Sequence, residues 1–351
     1  MTVRYIGSKS RLVSALAPFI GSPKPSDGVF VEPFCGTGVV AEEAARMGWR
    51  VRLNDHLKSA TIMAAARLTS KSQARFASLG GYRQVLEHLN ALPPTSGFTW
   101  REYSPASLRE VGIQRMYFTE ENAARIDAIR QQVAQWAAER AVSATEERLL
   151  LADLLAATNR VANIVGTYGC FLSHWLPQAR EPLQLAMRDL FPHRVHSEIL
   201  IGDVHAVPVA PEDLVYLDPP YTKRQYAAYY HILETIAVGD TPAVEGITGL
   251  RPWRDRASDF CYRTRALQAL HKLVARLAAR RVLLSYSSEG HVPLDALMRG
   301  LGQLGSVSVH ELKVVGRYRP NRAARDAAAA VSEYLLVIER STQTLRQIAF
   351  V

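Results

Sequence analysis

Short runs of apolar and β-branched residues, each ending in turn-forming residues, alternate with helical patterns along much of the 351-residue chain. Continuous apolar runs are typical of strands buried on both faces of a sheet, and their alternation with helices favours an open α/β sheet. No helical pattern separates the last two runs, which predicts an antiparallel pair. The seven predicted strands are Val29–Glu32, Val51–Asn54, Glu198–Ile201, Leu214–Leu217, Val282–Tyr286, Ser306–Leu312 and Ser332–Glu339.

The middle of the chain has few strand patterns, and its apolar residues recur at helical spacing. One such face comprises Ile126, Ile129, Val133 and Trp136, and a second, mostly apolar helix is predicted from about Thr145 to Val165. We therefore predict that residues 61–194 form a mainly helical subdomain, inserted into an α/β domain that residues 1–60 and 195–351 form together.

Composition limits the classes of protein that the chain can belong to. Hydrophobic residues make up 48% and charged residues 21%, which excludes intrinsic disorder. The apolar runs stop well short of the roughly 18 residues that a membrane span needs, and the first residues lack the apolar core of a signal peptide. Cys35, Cys170 and Cys261 are widely spaced and form no CxxC pair, so we expect a cytoplasmic protein without a metal site.

The charge balance points to a polyanionic partner. The chain has a formal net charge of +9, and a basic protein of this size often binds nucleic acid. A segment near the carboxyl end is basic without any acidic residue, and its composition suits either phosphate contacts or an ordinary solvated loop. Its basic residues are Lys313, Arg317, Arg319, Arg322 and Arg325.

A glycine-rich turn follows the first predicted strand. Gly36 and Gly38, in the segment Phe34–Gly38, allow a tight turn and close approach of a ligand to the backbone. Asp55 ends the second strand, where a carboxylate can accept from both hydroxyls of a ribose. The third glycine of a dinucleotide-binding turn is missing, so the pattern fits a nucleoside-like cofactor without phosphates, such as S-adenosyl-L-methionine. A plain strand–helix turn and a helix N-cap at Asp55 remain open alternatives.

A third carboxylate, Asp203, follows the third predicted strand. It is a candidate acceptor for the amino group of the cofactor's adenine, and the alternative is a cap of the next turn.

The segment Asp218-Pro219-Pro220-Tyr221 directly follows a buried strand and is the most informative motif. The two prolines restrict the backbone and donate no N–H, so carbonyl groups at this corner can face a ligand. Asp218 is then an acceptor at the carboxyl edge of the sheet, where open α/β sheets bind ligands. With the ring of Tyr221 beside it, the corner suits an exocyclic amine on a planar base.

Together, these motifs make the chain resemble the Dam-type, group-alpha adenine-specific DNA methyltransferases. That family carries a DPPY catalytic motif, an FxGxG cofactor motif and an N-terminal motif to which Tyr5-Ile6-Gly7-Ser8-Lys9 is similar. The resemblance implies a Rossmann-like seven-stranded methyltransferase sheet and catalytic roles for Asp218, Pro219, Pro220 and Tyr221. It also implies that residues 61–194 recognise the target. The cofactor-binding residues that we predict are Tyr5, Lys9, Phe34, Gly36, Gly38, Asp55 and Asp203.

The residues after the DPPY motif resemble more specifically the RQY…YHxLE tail of FokI-type modification methylases. They include Arg224-Gln225-Tyr226, Tyr230-His231 and Leu233-Glu234. This resemblance implies a site-specific DNA adenine-N6 methyltransferase of a restriction-modification system, acting on double-stranded DNA, with a separately encoded restriction endonuclease or none. The predicted DNA-binding residues are Arg224, Arg317, Arg319, Arg322 and Arg325. The alternatives are a ribosomal-RNA adenine methyltransferase and a non-catalytic DNA-binding protein with a methyltransferase fold.

Within residues 61–194, polar side chains are candidates for contacts with DNA. They are Arg101, Arg109, Arg115, Asn159, Arg160 and Asn163. Because base recognition depends on which side chains reach the grooves, their types alone do not predict a recognition sequence.

Overall fold

The structure, a computed structural model, describes residues 5–312, 331–341 and 345. In this part of the chain, seven strands form one sheet. The strands are β1 (Phe30–Glu32), β2 (Val51–Asp55), β3 (Ser197–Ile201), β4 (Leu214–Leu217), β5 (Arg281–Ser287), β6 (Ser306–Leu312) and β7 (Glu333–Glu339). The helices are α1 (Val13–Ile20), α2 (Val39–Arg46), α3 (Lys58–Arg67), α4 (Tyr82–Ala91), α5 (Phe98–Tyr103), α6 (Ser107–Val111), α7 (Glu120–Ala138), α8 (Ala144–Val161), α9 (Pro177–Arg180), α10 (Tyr226–Tyr229), α11 (His231–Val238), α12 (Ala266–Arg276) and α13 (Leu294–Gly302).

The sheet has the strand order β3-β2-β1-β4-β5-β7-β6. The five strands from β3 to β5 are parallel, whereas β7 is antiparallel to both of its neighbours. Every predicted strand is present, with its ends within one residue of the prediction, and the final antiparallel pair is confirmed. The sheet is therefore the Rossmann-like seven-stranded sheet that the sequence predicts.

Burial along the strands follows their position in the sheet. All residues of β1 and β4 are buried, and so are all residues of β5 except Arg281. The outer strands β3 and β6 are largely part-exposed or exposed. Because both faces of a central strand are covered, neither face can be polar. The sequences of these strands are therefore continuous apolar runs.

The chain divides into two compact units. The sheet unit comprises Ser8–His56, His196–Gln225 and the described part of Ala257–Val351. Its core includes Val215 and Leu217 of β4 together with Leu270 and Leu273 of α12.

The helical unit comprises Leu57–Val195, Tyr226–Arg256 and the described part of Met1–Gly7. Its helix α8 packs against both α3 and α7. The predicted helical face lies on α7, and all four of its apolar residues are buried. Helix α8 ends at Val161, earlier than predicted, because Ala162 adopts an extended conformation with a ψ of 131°.

This division differs from the predicted one in the described part of Met1–Gly7, at residues 57–60 and, over the longest stretch, at Tyr226–Arg256, all of which we predicted in the catalytic domain. Helix α11 packs against α3 and α8, and its Ile232, Leu233 and Ile236 are buried in the core of the helical unit. Burial of these apolar side chains explains why the segment clusters with that unit. The role of residues 61–194 in target recognition stays a prediction.

Candidate active site

The turn after β1 and the Asp218–Tyr221 corner after β4 both lie at the point of the sheet where the strand order reverses. From β1 the chain builds outward through β2 to β3, and it then returns to place β4 on the other side of β1. The turn after β1 and the corner after β4 therefore both lie at the carboxyl edge, at the strand-order reversal. Open α/β sheets bind their ligands in a crevice at this point.

The turn after β1 is built around two glycines with positive φ angles. Gly36 has a φ of +48° and Gly38 a φ of +74°, a region that residues with a Cβ rarely adopt. Gly38 immediately precedes α2, so the chain passes directly from the turn into the helix. The amide N–H of Gly36 donates to Oδ2 of Asp55 at 3.0 Å. Asp55, part-exposed at the end of β2, thus supports the turn and stands at the edge of the crevice.

Two residues that sequence reasoning did not select hold this edge together. The buried side-chain amide of Asn54 donates to the carbonyl groups of Pro33 and Gly202, both at 3.1 Å. Glu32, buried at the end of β1, accepts from the amide N–H of Ala41 in α2 at 3.0 Å. A polar residue that ends a buried strand is the pattern that could have revealed both.

Cys35 lies inside the cofactor motif and is 3% exposed. Burial raises the pKa of its thiol well above the ordinary value, and the carboxylates of Asp55 and Glu32 raise it further. A thiol that stays protonated is a poor nucleophile. Cys35 is therefore a packing residue of the turn, as its position suggests.

Asp203 and Phe34 lie at the same edge of the sheet unit. Asp203 is exposed, and its Oδ1 accepts from the amide N–H of His205 at 2.9 Å, which caps a short 3-10 turn. The ring of Phe34 packs edge-on against Phe260, with 5.4 Å between the ring centroids. The capping alternative for Asp203 is thus realised, and a role toward a cofactor stays a prediction.

The corner after β4 is held by the segment that follows β5. The carbonyl of Tyr221 accepts from the amide N–H of His291 at 2.9 Å. The ring of Tyr221 lies 5.6 Å from that of Tyr286, and Pro219 is buried. The orientation of Tyr221 is therefore set by β5 and the loop after it, which sequence reasoning did not connect with the motif.

Lys9 forms an ion pair with the first residue of the DPPY motif. Its Nζ lies 3.0 Å from Oδ1 of Asp218, 3.6 Å from Oε2 of Glu333, and 5.3 Å from the centre of the Tyr221 ring. Lys9 was predicted only as a cofactor-binding residue. Its pairing with Asp218 and Glu333 was not predicted.

Burial controls the charge of this group of residues. It raises the pKa of Asp218 to about 6, although the ammonium group of Lys9 opposes the rise. For Lys9, burial alone lowers the pKa, but the negative groups around it, Asp218 foremost, raise it well above the ordinary value. Lys9 is consequently charged at neutral pH, whereas the pKa of about 6 places the protonation of Asp218 close to neutrality.

Other predicted residues lie elsewhere. Tyr5 belongs to the helical unit, where its ring stacks on Tyr230 at 4.3 Å, so its cofactor role stays a prediction. Arg224 is exposed in the sheet unit, as a DNA-binding residue needs to be. Four further predicted DNA-binding residues fall outside the described residues, namely Arg317, Arg319, Arg322 and Arg325.

Three polar candidates for DNA contacts in the helical unit are buried, so their side chains do not lie on a surface that DNA could contact. Arg115, Asn159 and Asn163 are at most 2% exposed. Arg115 pairs with Glu102 at 2.7 Å, and the amide of Asn163 donates to the carbonyls of Met116 and Leu172. Buried polar side chains need partners within the protein, and sequence alone does not show which residues serve them.

The described residues contain neither a candidate metal cluster nor a candidate membrane span. No group of three or more His, Cys, Asp or Glu side chains there is arranged to hold a metal ion. No helix in the same ranges has the length and apolar character needed to cross a membrane.

The sequence is similar to type II methyltransferases and to modification methylases. It is 32% identical to the type II methyltransferase M.FokI of Planomicrobium okeanokoites over 96% of this chain and 53% of that protein. It is 29% identical to the modification methylase StsI of Streptococcus sanguinis over 96% of this chain and 52% of that protein. The chain thus spans about half the length of these two relatives.

A third relative is matched over its whole length. The type II methyltransferase M.NlaIII of Neisseria lactamica is 29% identical over 97% of this chain and 100% of that protein. A family model described as D12 class N6 adenine-specific DNA methyltransferase matches residues 5–298, which include both motifs of the crevice. The chain therefore belongs to the D12 class of N6 adenine-specific DNA methyltransferases.

Proposed function

We propose that the protein transfers a methyl group from S-adenosyl-L-methionine to N6 of an adenine at a specific site in double-stranded DNA. The observation that carries this proposal is the location of both motifs at the strand-order reversal, where open α/β sheets have their ligand crevice. A glycine turn with an acidic partner stands on one side of this reversal, and the Asp218–Tyr221 corner stands on the other. Family membership supports the same reaction and the same base.

The residues around the turn fit a nucleoside with a sulfonium group. Asp55 and Asp203 place carboxylates at the ends of β2 and β3, where they can accept from hydroxyl and amino groups but would repel phosphates. The positive φ angles of Gly36 and Gly38 leave the backbone accessible. When bound, the cofactor supplies a methyl group whose bond to sulfur breaks with both electrons left on sulfur.

The corner after β4 has the acceptors and the ring that an adenine needs. The target base must first leave the DNA stack, at a cost of a few kcal/mol. We propose that Tyr221 stacks on the extruded base, while the Asp218 carboxylate and the Pro219 carbonyl accept from its amino group. These hydrogen bonds direct the nitrogen lone pair away from the ring. Catalysis then rests on position and electrostatics.

The charge state of Asp218 suits this role. Above its pKa of about 6 the side chain is a carboxylate and accepts hydrogen bonds only. As the new N–C bond forms, the amino nitrogen must release one proton. Asp218, in direct contact with that nitrogen, is the group that we propose holds the proton before it passes to water.

DNA is the proposed macromolecular partner. The net charge of +9 favours a polyanion. We propose that Arg224 and the basic residues Arg317, Arg319, Arg322 and Arg325 contact its phosphates. We further propose that the protein is the modification enzyme of a cytoplasmic restriction-modification system, as its relatives are modification methylases, with the endonuclease encoded separately.

The proposal is tested by incubating the protein with radiolabelled cofactor and either unmethylated bacterial DNA or ribosomal RNA. We expect label in DNA, recovered as N6-methyladenine at one recurring sequence. Label in RNA alone would overturn the substrate, and label on cytosine would overturn the base. DNA binding without any transfer, and without cofactor binding by calorimetry, would instead indicate a non-catalytic DNA-binding protein.

A further inference from the structure

One lysine and two carboxylates form a largely buried cluster in the sheet unit. The side chains of Lys9, Asp218 and Glu333 are 5%, 17% and 13% exposed. Lys9 is closer to Asp218, at 3.0 Å, than to Glu333, at 3.6 Å. One ammonium group thus has two carboxylate partners and can satisfy either of them by a small movement.

The reversed direction of β7 explains this meeting. Asp218 follows β4, and Ser287 ends β5 at the same carboxyl edge of the sheet. Because β7 is antiparallel to β5, its first residue, Glu333, pairs with Ser287 and comes to the edge at which parallel strands end. A parallel strand in that place would put its first residue at the opposite edge.

Other ionisable groups face the cluster. The phenols of Tyr216 and Tyr221 lie beside Lys9 and Asp218, and Glu32 acts on Tyr216. Burial raises the pKa of Tyr221 to about 12 and that of Tyr216 well above the ordinary value. Both phenols therefore stay neutral at the pH of an assay. Glu32 already accepts from the amide N–H of Ala41. The carboxylate partners of Lys9 are therefore Asp218 and Glu333.

We propose that Glu333 is a positioning residue that takes over Lys9 when Asp218 turns to the amino group of the target adenine. This inference rests on the proposed function. With no amine bound, Lys9 occupies an oxygen of Asp218. If Lys9 released that oxygen and had no second carboxylate to pair with, its buried ammonium group would be unpaired, which is costly. Glu333 removes this cost, because Lys9 moves from one carboxylate to the other.

The variant Glu333→Gln tests the proposal because it keeps the shape of the side chain and removes its charge. We expect kcat to fall about tenfold, with the KM for S-adenosyl-L-methionine unchanged. The acidic limb of the kcat–pH profile should move to lower pH, because the charge of Glu333 raises the pKa of Asp218. Glu339→Gln, at the other and exposed end of the same strand, is the matched control and should behave as the wild type.

A purely structural role of Glu333 gives a different result. In that case Glu333→Gln would lower the unfolding temperature or kcat and leave the acidic limb of the kcat–pH profile in place. That outcome would overturn the proposal. Wild-type kcat in Glu333→Gln would overturn it as well.

A double variant asks whether Glu333 acts through Lys9. In a Lys9→Gln background, Glu333→Gln should change kcat by no more than about twofold, because the ammonium group that pairs with Glu333 is absent. Equal effects in the two backgrounds would show that Glu333 acts independently of Lys9 and would contradict the proposal.

A measurement without turnover separates this inference from the proposed function. The carboxyl carbon of Asp218 is titrated by NMR in the full-length protein, and its resonance is assigned with Asp218→Asn. We expect Glu333→Gln to lower the titration midpoint and Lys9→Gln to raise it. An unchanged midpoint in Glu333→Gln would refute the inference. Absence of N6-methyladenine with the wild-type enzyme would refute the proposed function, whatever the titrations show.

Discussion

The amide N–H of Gly36 donates to Oδ2 of Asp55 across 3.0 Å, so the turn after β1 is tied to the end of β2. One carboxylate thereby supports the glycine turn and also presents a charge to the crevice. Support of the turn alone does not require this residue type, because a neutral acceptor would support the turn as well. The two roles can be separated by substitution.

We expect Asp55→Ala to weaken binding of S-adenosyl-L-methionine by about tenfold to a hundredfold, the size of one or two lost charge-assisted hydrogen bonds. Asp55→Asn keeps one oxygen for the Gly36 amide but cannot accept from two ribose hydroxyls, so its affinity should lie between those of Asp55→Ala and the wild type. Calorimetry measures both variants. Asp295→Ala, which removes an exposed carboxylate of α13, is the control. Wild-type affinity in Asp55→Asn would limit Asp55 to supporting the turn.

The second prediction concerns catalysis by Asp218. Asp218→Asn removes the charge that we propose holds the amino group, and it breaks the ion pair with Lys9. We expect kcat to fall by about a hundredfold or more, while cofactor affinity stays within about twofold of wild type. Single-turnover methylation and calorimetry give the two values. Turnover near that of the wild type would remove Asp218 from the mechanism.

The pH dependence follows from the same carboxyl group. Burial raises the pKa of Asp218 to about 6, so the side chain is ionised above that pH and protonated below it. A protonated carboxyl loses acceptor capacity, and kcat should therefore decrease as the pH falls through about 6, with the slope of one proton. Circular dichroism over the same range checks that the protein stays folded. A flat profile down to pH 5 would contradict the prediction.

A prediction about stability concerns Glu234, which is 2% exposed in the helical unit. Its carboxylate accepts from the amide N–H groups of Lys58 and Ser59 at the start of α3, and from Arg256. Glu234→Ala leaves these donors without their partner. We expect the free energy of unfolding to fall by about 3 kcal/mol, measured by urea denaturation. Glu87→Ala, an exposed position on α4, should change it by less than about 0.5 kcal/mol. Equal effects at the two positions would argue against a capping role for Glu234.

The last prediction concerns His231, which follows the Asp218–Tyr221 segment in the sequence and is fully buried. Burial lowers its pKa to about 4. Its Nε2 lies 3.1 Å from the carbonyl of Tyr168 and must carry the proton, since a carbonyl only accepts. NMR should show one neutral tautomer with the proton on Nε2 from pH 5 to pH 9. Titration near pH 6.5 would exclude the buried, hydrogen-bonded position.

The sequence alone determined the strands and the position of both motifs along the chain. Central strands must be apolar on both faces, so each appears as a continuous run that local inspection can recognise. The glycines at positions 36 and 38 and the prolines at 219 and 220 are equally local, because they act on their own backbone angles. The parallel order of the first strands then brings Asp55 and Asp218 to one edge of the sheet.

Only the tertiary structure decided which side chains meet. Lys9 and Glu333 are far from Asp218 in sequence. Glu333 reaches it because the sheet places β4 beside β5 and reverses β7. Lys9 reaches it from the 3-10 turn before α1. Arg115, Asn159 and Asn163 resemble surface residues by type, yet they are buried and satisfied within the protein. Residue type determines which groups a side chain can bond to. Packing between distant segments determines which partner it meets and, through burial, whether the side chain is charged. The cluster at Asp218 therefore could not be predicted from the sequence.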